Sequence, residues 1–307
     1  MNPPESREEE LAAAYLRNRP RLIGVAYAVL GTRAEAEDVV SECWLRLVGA
    51  DQRERVLDVD AWSTLVVARR ALDVLRSARL QRETYTGPWL PEPLLEDQPG
   101  IDDPAERVTL DERVSFALMV VLETLTPAER TSWVLHDLFD MPFAEIAEVV
   151  GRTPAAVRQL AVRARAHVTA AAPRIEVDAA LHRRTVAAFF SAAAEGDLAG
   201  LLAVLDPTVV LTSDGGGRIS AARRPVHGAD RVARFLIGVA GRITPGQRVL
   251  PRVVNGGPGF MVLDGSTAIL IGSITVDGGR VQRVDLVLAP EKLPRGPIVD
   301  VPDGGGS

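Results

Sequence analysis

"PFAEIAEVVGRTPAAVRQLAVRARAHV" occupies residues 142–168. Phe143, Ile146, Ala147 and Val150 recur at helical spacing, which predicts a helix with one buried face. Gly151 permits a sharp exit, Thr153 suits a cap, and Pro154 suits the first position of a second helix. In that second helix Val157, Leu160, Ala161, Ala164 and Val168 share the inner side, and His167 is expected to pack close to it. Arg158 and Arg165 fall together on the outer side, flanked by Gln159 and Arg163. This is the grammar of a helix-turn-helix. Arginine grips guanine in bidentate fashion and also holds phosphate, so the outer face suits the major groove. The competing reading is a solvated face on an ordinary helical hairpin.

The rest of the chain sets limits on that motif. A length of 307 residues suits two or three domains, and an apolar fraction of 47% is ample for their cores. The net charge of −6 argues against a protein that coats nucleic acid unaided, because phosphate contacts supply most non-specific affinity. Charge is unevenly placed: 152–168 holds Arg152, Arg158, Arg163 and Arg165 without an acid, whereas 92–112 is strongly acidic. Lys292 is the only lysine, a bias that reads as genomic. The single cysteine, Cys43, points to a reducing compartment. With no signal-peptide pattern and no apolar run long enough for a bilayer, a cytoplasmic protein without membrane contact is expected.

Helical periodicity also runs through 8–82. "AEAEDVVSECWLRLVGA" places Ala36, Val39, Val40, Cys43, Trp44, Leu47 and Val48 on one face, with Thr32 and Glu35 as an expected capping box. Glu35, Asp38 and Glu42 form an acidic stripe, with Arg46 placed to pair with Glu42. The next helix, from about Asp60 to Arg82, has an inner stripe of Leu65, Ala68, Leu72 and Leu75. Arg69, Arg70, Arg76 and Arg79 make it cationic around Asp73, and Trp62 stands at its start. An aromatic beside arginines suits nucleic acid with exposed bases; core packing is the other reading of Trp62. A further helix is expected over 111–124.

These segments, taken in order, resemble domains two and four of extracytoplasmic-function (ECF) sigma factors, members of the sigma-70 family of bacterial transcription initiation factors. The resemblance covers about 15–170. "WLPEP" at 89–93, "DGGGR" at 214–218 and the C-terminal extension are similar to the SigJ-like subgroup, whose extra domain is SnoaL-like. That subgroup has an Asn-Pro-Asp-Lys-Leu-like sequence where this chain has "APEKL" at 289–293. The resemblance implies a multidomain chain: two all-α sigma domains, then an α+β SnoaL/NTF2-like cone. It implies that Glu35, Asp38, Glu42 and Trp44 dock on core RNA polymerase. The helix with Trp62, Arg69, Arg70, Arg76 and Arg79 would face the minus-ten element of promoter DNA and assist its melting. The helix with Arg158, Gln159, Arg163 and Arg165 would read the minus-thirty-five element. Polymerase would then supply the affinity that the acidic chain lacks.

The expected division is 8–82 and 111–171 for the sigma domains, 83–110 for a connector, 176–293 for the cone and 294–307 for a disordered tail. The connector is unusual, because "TYTGPWLPEPLLEDQPG" (84–100) is apolar and stiff where linkers are normally polar. Prolines 88, 91 and 93 favour an extended chain that presents Trp89 and Leu90 at little entropic cost. Contact of Trp89, Leu90, Pro91 and Glu92 with the C-terminal domain or with domain two is therefore expected, together with Asp214, Gly215, Gly216 and Gly217; a merely structural staple is the other reading.

In the C-terminal part, helices at 181–197 and 197–205 precede strand-like runs at 208–214, 259–265, 266–279 and 280–290. Asp264-Gly265 and Asp277-Gly278 read as hairpins. Asp214, His227, Asp264 and Asp285 are the available acid–base groups. Asp214 and Asp264 read as turn formers, Asp285 as solvated, and no catalytic pairing is legible. A non-enzymatic chain without metal or cofactor is expected. Its extension either holds the sigma domains in check or senses a ligand in its cavity. The alternatives are a helix-turn-helix regulator with a ligand-sensing domain, which has no use for the helices before 82, and a SnoaL-like enzyme fused to a DNA-binding unit.

Overall fold

The computed structural model describes residues 7–82, 85–95, 114–171, 179–219, 221–296 and 298. The acidic end of the connector and most of the expected tail lie outside these residues. The chain divides into two compact units, one formed by Met1–Thr84 with Pro99–Ala172 and the other by Tyr85–Gln98 with Pro173–Ser307.

Among the described residues, helices alone build the first unit. Its longest members are α1 (Arg7–Leu30), α2 (Arg33–Asp51) and α3 (Val59–Arg82). The second half of α1, "LIGVAYAVL", is apolar on every side, and every residue from Leu22 to Leu30 is buried. A helix apolar all round belongs in a core, and α1 is the element against which α2 and α3 pack. Gly31 ends it at φ 84°, donating its N–H to Tyr27. That left-handed stop is one that glycine accepts without strain.

The remaining helices among the described residues are α4 (Phe116–Leu122), α5 (Pro127–Trp133), a π-turn (Val134–Leu138), α6 (Phe143–Val150) and α7 (Pro154–Ala171). Residues 111–113 of the expected helix lie outside the described residues; α4 starts at Phe116, capped by the Ser115 hydroxyl, which accepts from Leu118 N–H. The expected capping box at Thr32 does not form: the Thr32 hydroxyl donates to the Glu35 carboxylate at 2.5 Å and makes no cap to the backbone. A reciprocal box sits instead at Thr126 and Glu129, ahead of Pro127. The Thr126 hydroxyl likewise donates to its glutamate, at 2.6 Å, but its oxygen also accepts from Glu129 N–H at 3.3 Å, the bond that Thr32 lacks.

The second unit is α+β. Helices α8 (Ala179–Glu195), α9 (Leu198–Val204) and α10 (Ala229–Ala240) accompany β1 (Leu205–Asp214), β2 (Val226–His227), β3 (Gln247–Val254), β4 (Gly257–Asp264), β5 (Thr267–Asp277) and β6 (Arg280–Val287). The sheet runs β2-β1-β6-β5-β4-β3, with β1 and β6 parallel and the other pairs antiparallel. Asp264-Gly265 and Asp277-Gly278 do turn the β4–β5 and β5–β6 hairpins. The strand at 247–254 and the helix at 229–240 are not among the elements expected from the sequence. Pro251 accounts for the first omission: it interrupts the strand signal and is tolerated because β3 is an edge.

One sheet face and the helices share a core that includes Phe189, Leu201, Leu211, Val232, Leu236, Val284 and Leu286. Strand alternation sends Thr212, Asp214, Asp285 and Val287 to the opposite face. There the expectation for Asp285 fails, since it is 1% exposed rather than solvated.

Candidate functional site

In α7 the stripe Val157, Leu160, Ala161, Ala164 and Val168 is buried, which turns the arginines outward. Gly151 leaves α6 at φ 71°, and the Thr153 hydroxyl accepts from Ala156 N–H. The four outer side chains are not equivalent. Arg158 lies over the Phe143 ring at 5.3 Å, and Gln159 is exposed. Arg163 pairs with Glu129 at 3.3 Å, and Arg165 with Asp137 at 2.5 Å. Half of the set is thus already held by acids of α5 and the π-turn. His167, expected near the core, is exposed and shares a hydrogen bond with the Thr124 hydroxyl; its place on the helix turns the ring toward the end of α4.

On α2, Glu35 is half-buried and tied to Thr32, while Asp38 is exposed. Glu42 bridges Arg70 of α3 at 2.8 Å and Arg46 at 2.6 Å, and these cations, Arg70 first, hold its carboxyl below the usual range. Trp44 packs on Tyr15 with ring centroids 5.3 Å apart. On α3, Trp62 is half-buried and Arg76 pairs weakly with Asp73. Arg69 and Arg79 reach the other half of the unit: Arg69 donates to the Glu148 carbonyl of α6 at 3.1 Å, and Arg79 to the Leu125 carbonyl at 2.5 Å. Two of the arginines for which the resemblance implies minus-ten contact are therefore bonded to backbone carbonyls, one between α4 and α5 and one on α6.

The second unit contains a charged cluster that the sequence indicates only in part. Asp214 ends β1 and is completely buried. Its Oδ1 accepts from the Tyr85 hydroxyl at 2.5 Å and from Gly216 N–H at 3.0 Å. Its Oδ2 accepts from Leu90 N–H at 2.9 Å and from Lys292 Nζ at 2.7 Å. Lys292 also donates to the Leu90 carbonyl at 2.5 Å and stands 3.8 Å from the centre of the Trp89 ring. Burial, and then the bond to Asp214, push the Tyr85 hydroxyl pKa upward. The turn-former reading of Asp214 captures only the bond to Gly216; the larger part of its bonding is to the connector and to Lys292.

Lys292 is the residue that sequence reasoning missed. As the sole lysine among arginines it is singled out by composition, and the cluster explains its chemistry. A compact ammonium with rotatable donors serves a carboxylate, a carbonyl and a ring face at once, which a planar guanidinium does not. The glycines after Asp214 shape the approach. A Cβ on Gly215 would meet the Ile219 carbonyl oxygen at 2.2 Å, and Gly216 sits at φ 68°.

Further along the connector, Asn255 provides a second anchor. Its side-chain oxygen accepts from Leu94 N–H at 3.0 Å, its own N–H donates to the Leu94 carbonyl at 2.8 Å, and Leu95 bridges Val254. Pro91, Pro93, Leu90, Leu94 and Leu95 are all buried. Each leucine so buried is worth about 1.5–3 kcal/mol, so the apolar character of the connector is that of a core segment. Glu92 is half-buried and Gly217 adopts φ 68°.

The acid–base candidates do not converge. His227 is on the short strand β2, Asp264 is at a hairpin, and Asp285 lies on the sheet face away from the helices. Asp285 Oδ2 accepts from Arg283 Nε at 2.6 Å while Oδ1 has no partner among the described residues. Burial raises its pKa, and Arg283 offsets only part of that effect. A raised folded-state pKa means that the native chain holds a proton after the unfolded chain has released it, so stability falls as pH rises through that window. As pH rises above the free-carboxylate range, the urea midpoint of the native chain should therefore decline relative to that of Asp285→Asn. Equal slopes would show that Asp285 does not carry the effect.

The comparisons with known proteins agree with this geometry. Residues 14–81 match the family model Sigma-70 region 2, and residues 115–168 match Sigma-70, region 4. The ECF RNA polymerase sigma factor SigJ of Mycobacterium tuberculosis (strain ATCC 25618 / H37Rv) is 43% identical over 292 residues, covering 91% of this chain and 92% of SigJ. The probable ECF RNA polymerase sigma factor SigI of the same strain is 32% identical over 297 residues, covering 94% of this chain and 96% of its own. The crystal structure of SigJ from M. tuberculosis superposes with a TM-score of 0.73 at 39% identity, covering 92% of this chain and 97% of that one. The α+β unit, for which the SigJ fold is the match, is a SnoaL-like domain. The chain belongs to the extracytoplasmic-function sigma factors of the sigma-70 family, and it is a transcription initiation factor.

Proposed function

We propose that this sigma factor binds core RNA polymerase in the cytoplasm, directs it to promoter DNA, and is modulated in cis by its SnoaL-like domain acting through the connector. Arg158, Gln159, Arg163 and Arg165 read the minus-thirty-five element. Trp62, Arg69, Arg70, Arg76 and Arg79 engage the minus-ten element, and Glu35, Asp38, Glu42 and Trp44 dock on polymerase. The observation that carries the regulatory part is the burial of Leu90, Leu94 and Leu95 together with the Lys292–Asp214–Trp89 cluster. A connector held in this way is not an idle tether. The pairs that Arg69, Arg79, Arg163 and Arg165 make within the helical unit support a free state in which DNA-facing charge is partly engaged.

The test is promoter-directed run-off transcription with core polymerase and the full chain, native or Trp89→Ala. Polymerase must co-purify with the native chain for the sigma reading to stand. Loss of the cation–π contact removes about 0.5–2 kcal/mol, so Trp89→Ala should speed proteolysis of the connector by about twofold to thirtyfold and shift promoter output. Unchanged proteolysis and unchanged output would refute the regulatory role and leave the sigma assignment standing.

A further inference from the structure

The helices and the inner sheet face of the SnoaL-like unit enclose a cavity of about 660 Å³. That lies within the size range of small-molecule sites. Its walls include Phe189 and Phe190 of α8, Leu236 of α10, Phe260 of β4, Leu270 of β5 and Leu286 of β6. Phe190 meets Phe189 and Phe260 edge-on, at 5.8 and 5.7 Å between ring centres, so the aromatic wall is ordered by its own packing.

Polar capacity in the lining is confined to the mouth. Gln247 has both ends of its amide occupied: Oε1 accepts from Thr244 N–H at 3.2 Å, and Nε2 donates to Asp264 at 3.3 Å. Arg242, exposed at the rim, is the charged side chain of the described lining, and its guanidinium makes no ion pair among the described residues. Around it the rim is apolar, with Ile243 at 37% and Val249 at 40% exposure.

From this arrangement we infer that the cavity binds an apolar monoanion: a carboxylate-headed amphiphile whose hydrocarbon or ring body fills the aromatic interior while its head meets Arg242. The chemistry selects this class against others. A sugar or nucleotide carries hydroxyl and amide groups that this interior leaves unpaired, at a cost of about 1–3 kcal/mol for each buried group. A cationic amphiphile would bring its charge to a guanidinium and find no carboxylate in the described lining. An apolar anion satisfies both regions at once. The site is independent of the connector cluster, which lies on the other face of the sheet.

The test uses the full chain with the fluorescent polyene cis-parinaric acid and its uncharged methyl ester as probes. The native chain should bind the acid at least about tenfold more tightly than the ester. Arg242→Glu, at an exposed position, should remove that preference while retaining ester binding. Ala193→Trp, which puts an indole into the cavity, should abolish binding of both probes with the far-ultraviolet circular dichroism unchanged. Equal binding of acid and ester by the native chain, or a preference that survives Arg242→Glu, overturns the inference; these comparisons stand even where Ala193→Trp fails to fold. Failure of the native chain to bind either probe also overturns it, including failure because a second copy covers the mouth, which sedimentation would reveal.

Discussion

Lys292→Met is expected to release the connector. In hydrogen exchange on the full chain, the Leu90 and Leu94 amides should open at least about a hundredfold faster than in the native protein. Lys292 is 5% exposed and Asp214 is completely buried, so the substitution leaves a carboxylate in the interior without its cation. Removing one partner of a buried pair costs about 3–5 kcal/mol, more than the pair contributes against an apolar replacement, because the surviving charge remains desolvated. The Leu90 carbonyl loses its donor at the same time, and Trp89 loses the ammonium on its ring. Lys292→Arg should recover only part of the protection, because the guanidinium fork does not fit three acceptors arranged around a point. Native exchange at Leu90 in Lys292→Met would show that the leucines alone hold the connector and that the ammonium contributes nothing.

A comparable effect is expected in the helical unit from Arg130→Met. Arg130, on α5, is 1% exposed. Its Nε donates to the Ala28 carbonyl of α1 at 3.0 Å, and its Nη1 pairs with Glu123. One side chain thus joins α1 to the α4–α5 pair that precedes the helix-turn-helix. The variant should lose about 3–5 kcal/mol in urea unfolding. Glu123→Gln leaves the Ala28 bond intact but strips the buried guanidinium of its counter-charge, so it should lose a comparable amount. A loss under about 1 kcal/mol in Arg130→Met would show that this side chain does not hold α1 to α5.

The legibility of the chain differed from element to element for physical reasons. The helix-turn-helix was readable because it is local: a stripe at helical spacing, a left-handed glycine, a cap and a proline lie within 142–168, and each acts on its neighbours. The hairpins at Asp264-Gly265 and Asp277-Gly278 were readable for the same reason. Helix α10 and strand β3 were passed over, the strand because Pro251 masks an edge strand's alternation. Thr32-x-x-Glu35 and Thr126-x-x-Glu129 have the same pattern, and both hydroxyls donate to their glutamates; only whether the backbone N–H three residues on reaches the threonine oxygen separates them.

The sites divide along the same line. Arginines on α3 and α7 were identifiable from periodicity, but their pairing with Glu129, Asp137 and the carbonyls of Glu148 and Leu125 was not. Asp285 shows the limit plainly: alternation places it on the face away from the core, and only the assembled sheet shows that this second face is buried as well.

By itself the amino-acid sequence determined the order of the helical and strand-bearing segments, which rests on short-range periodicity, and its contiguous motifs carried the resemblance to the family to which the chain belongs. Tertiary structure alone decided that the connector is a core segment and that Lys292 is its anchor. Leu90 and Lys292 are 202 residues apart in the chain, and no local rule couples a lone lysine to a distant proline-rich stretch. Their partnership exists only where the end of β1 brings a buried carboxylate between them.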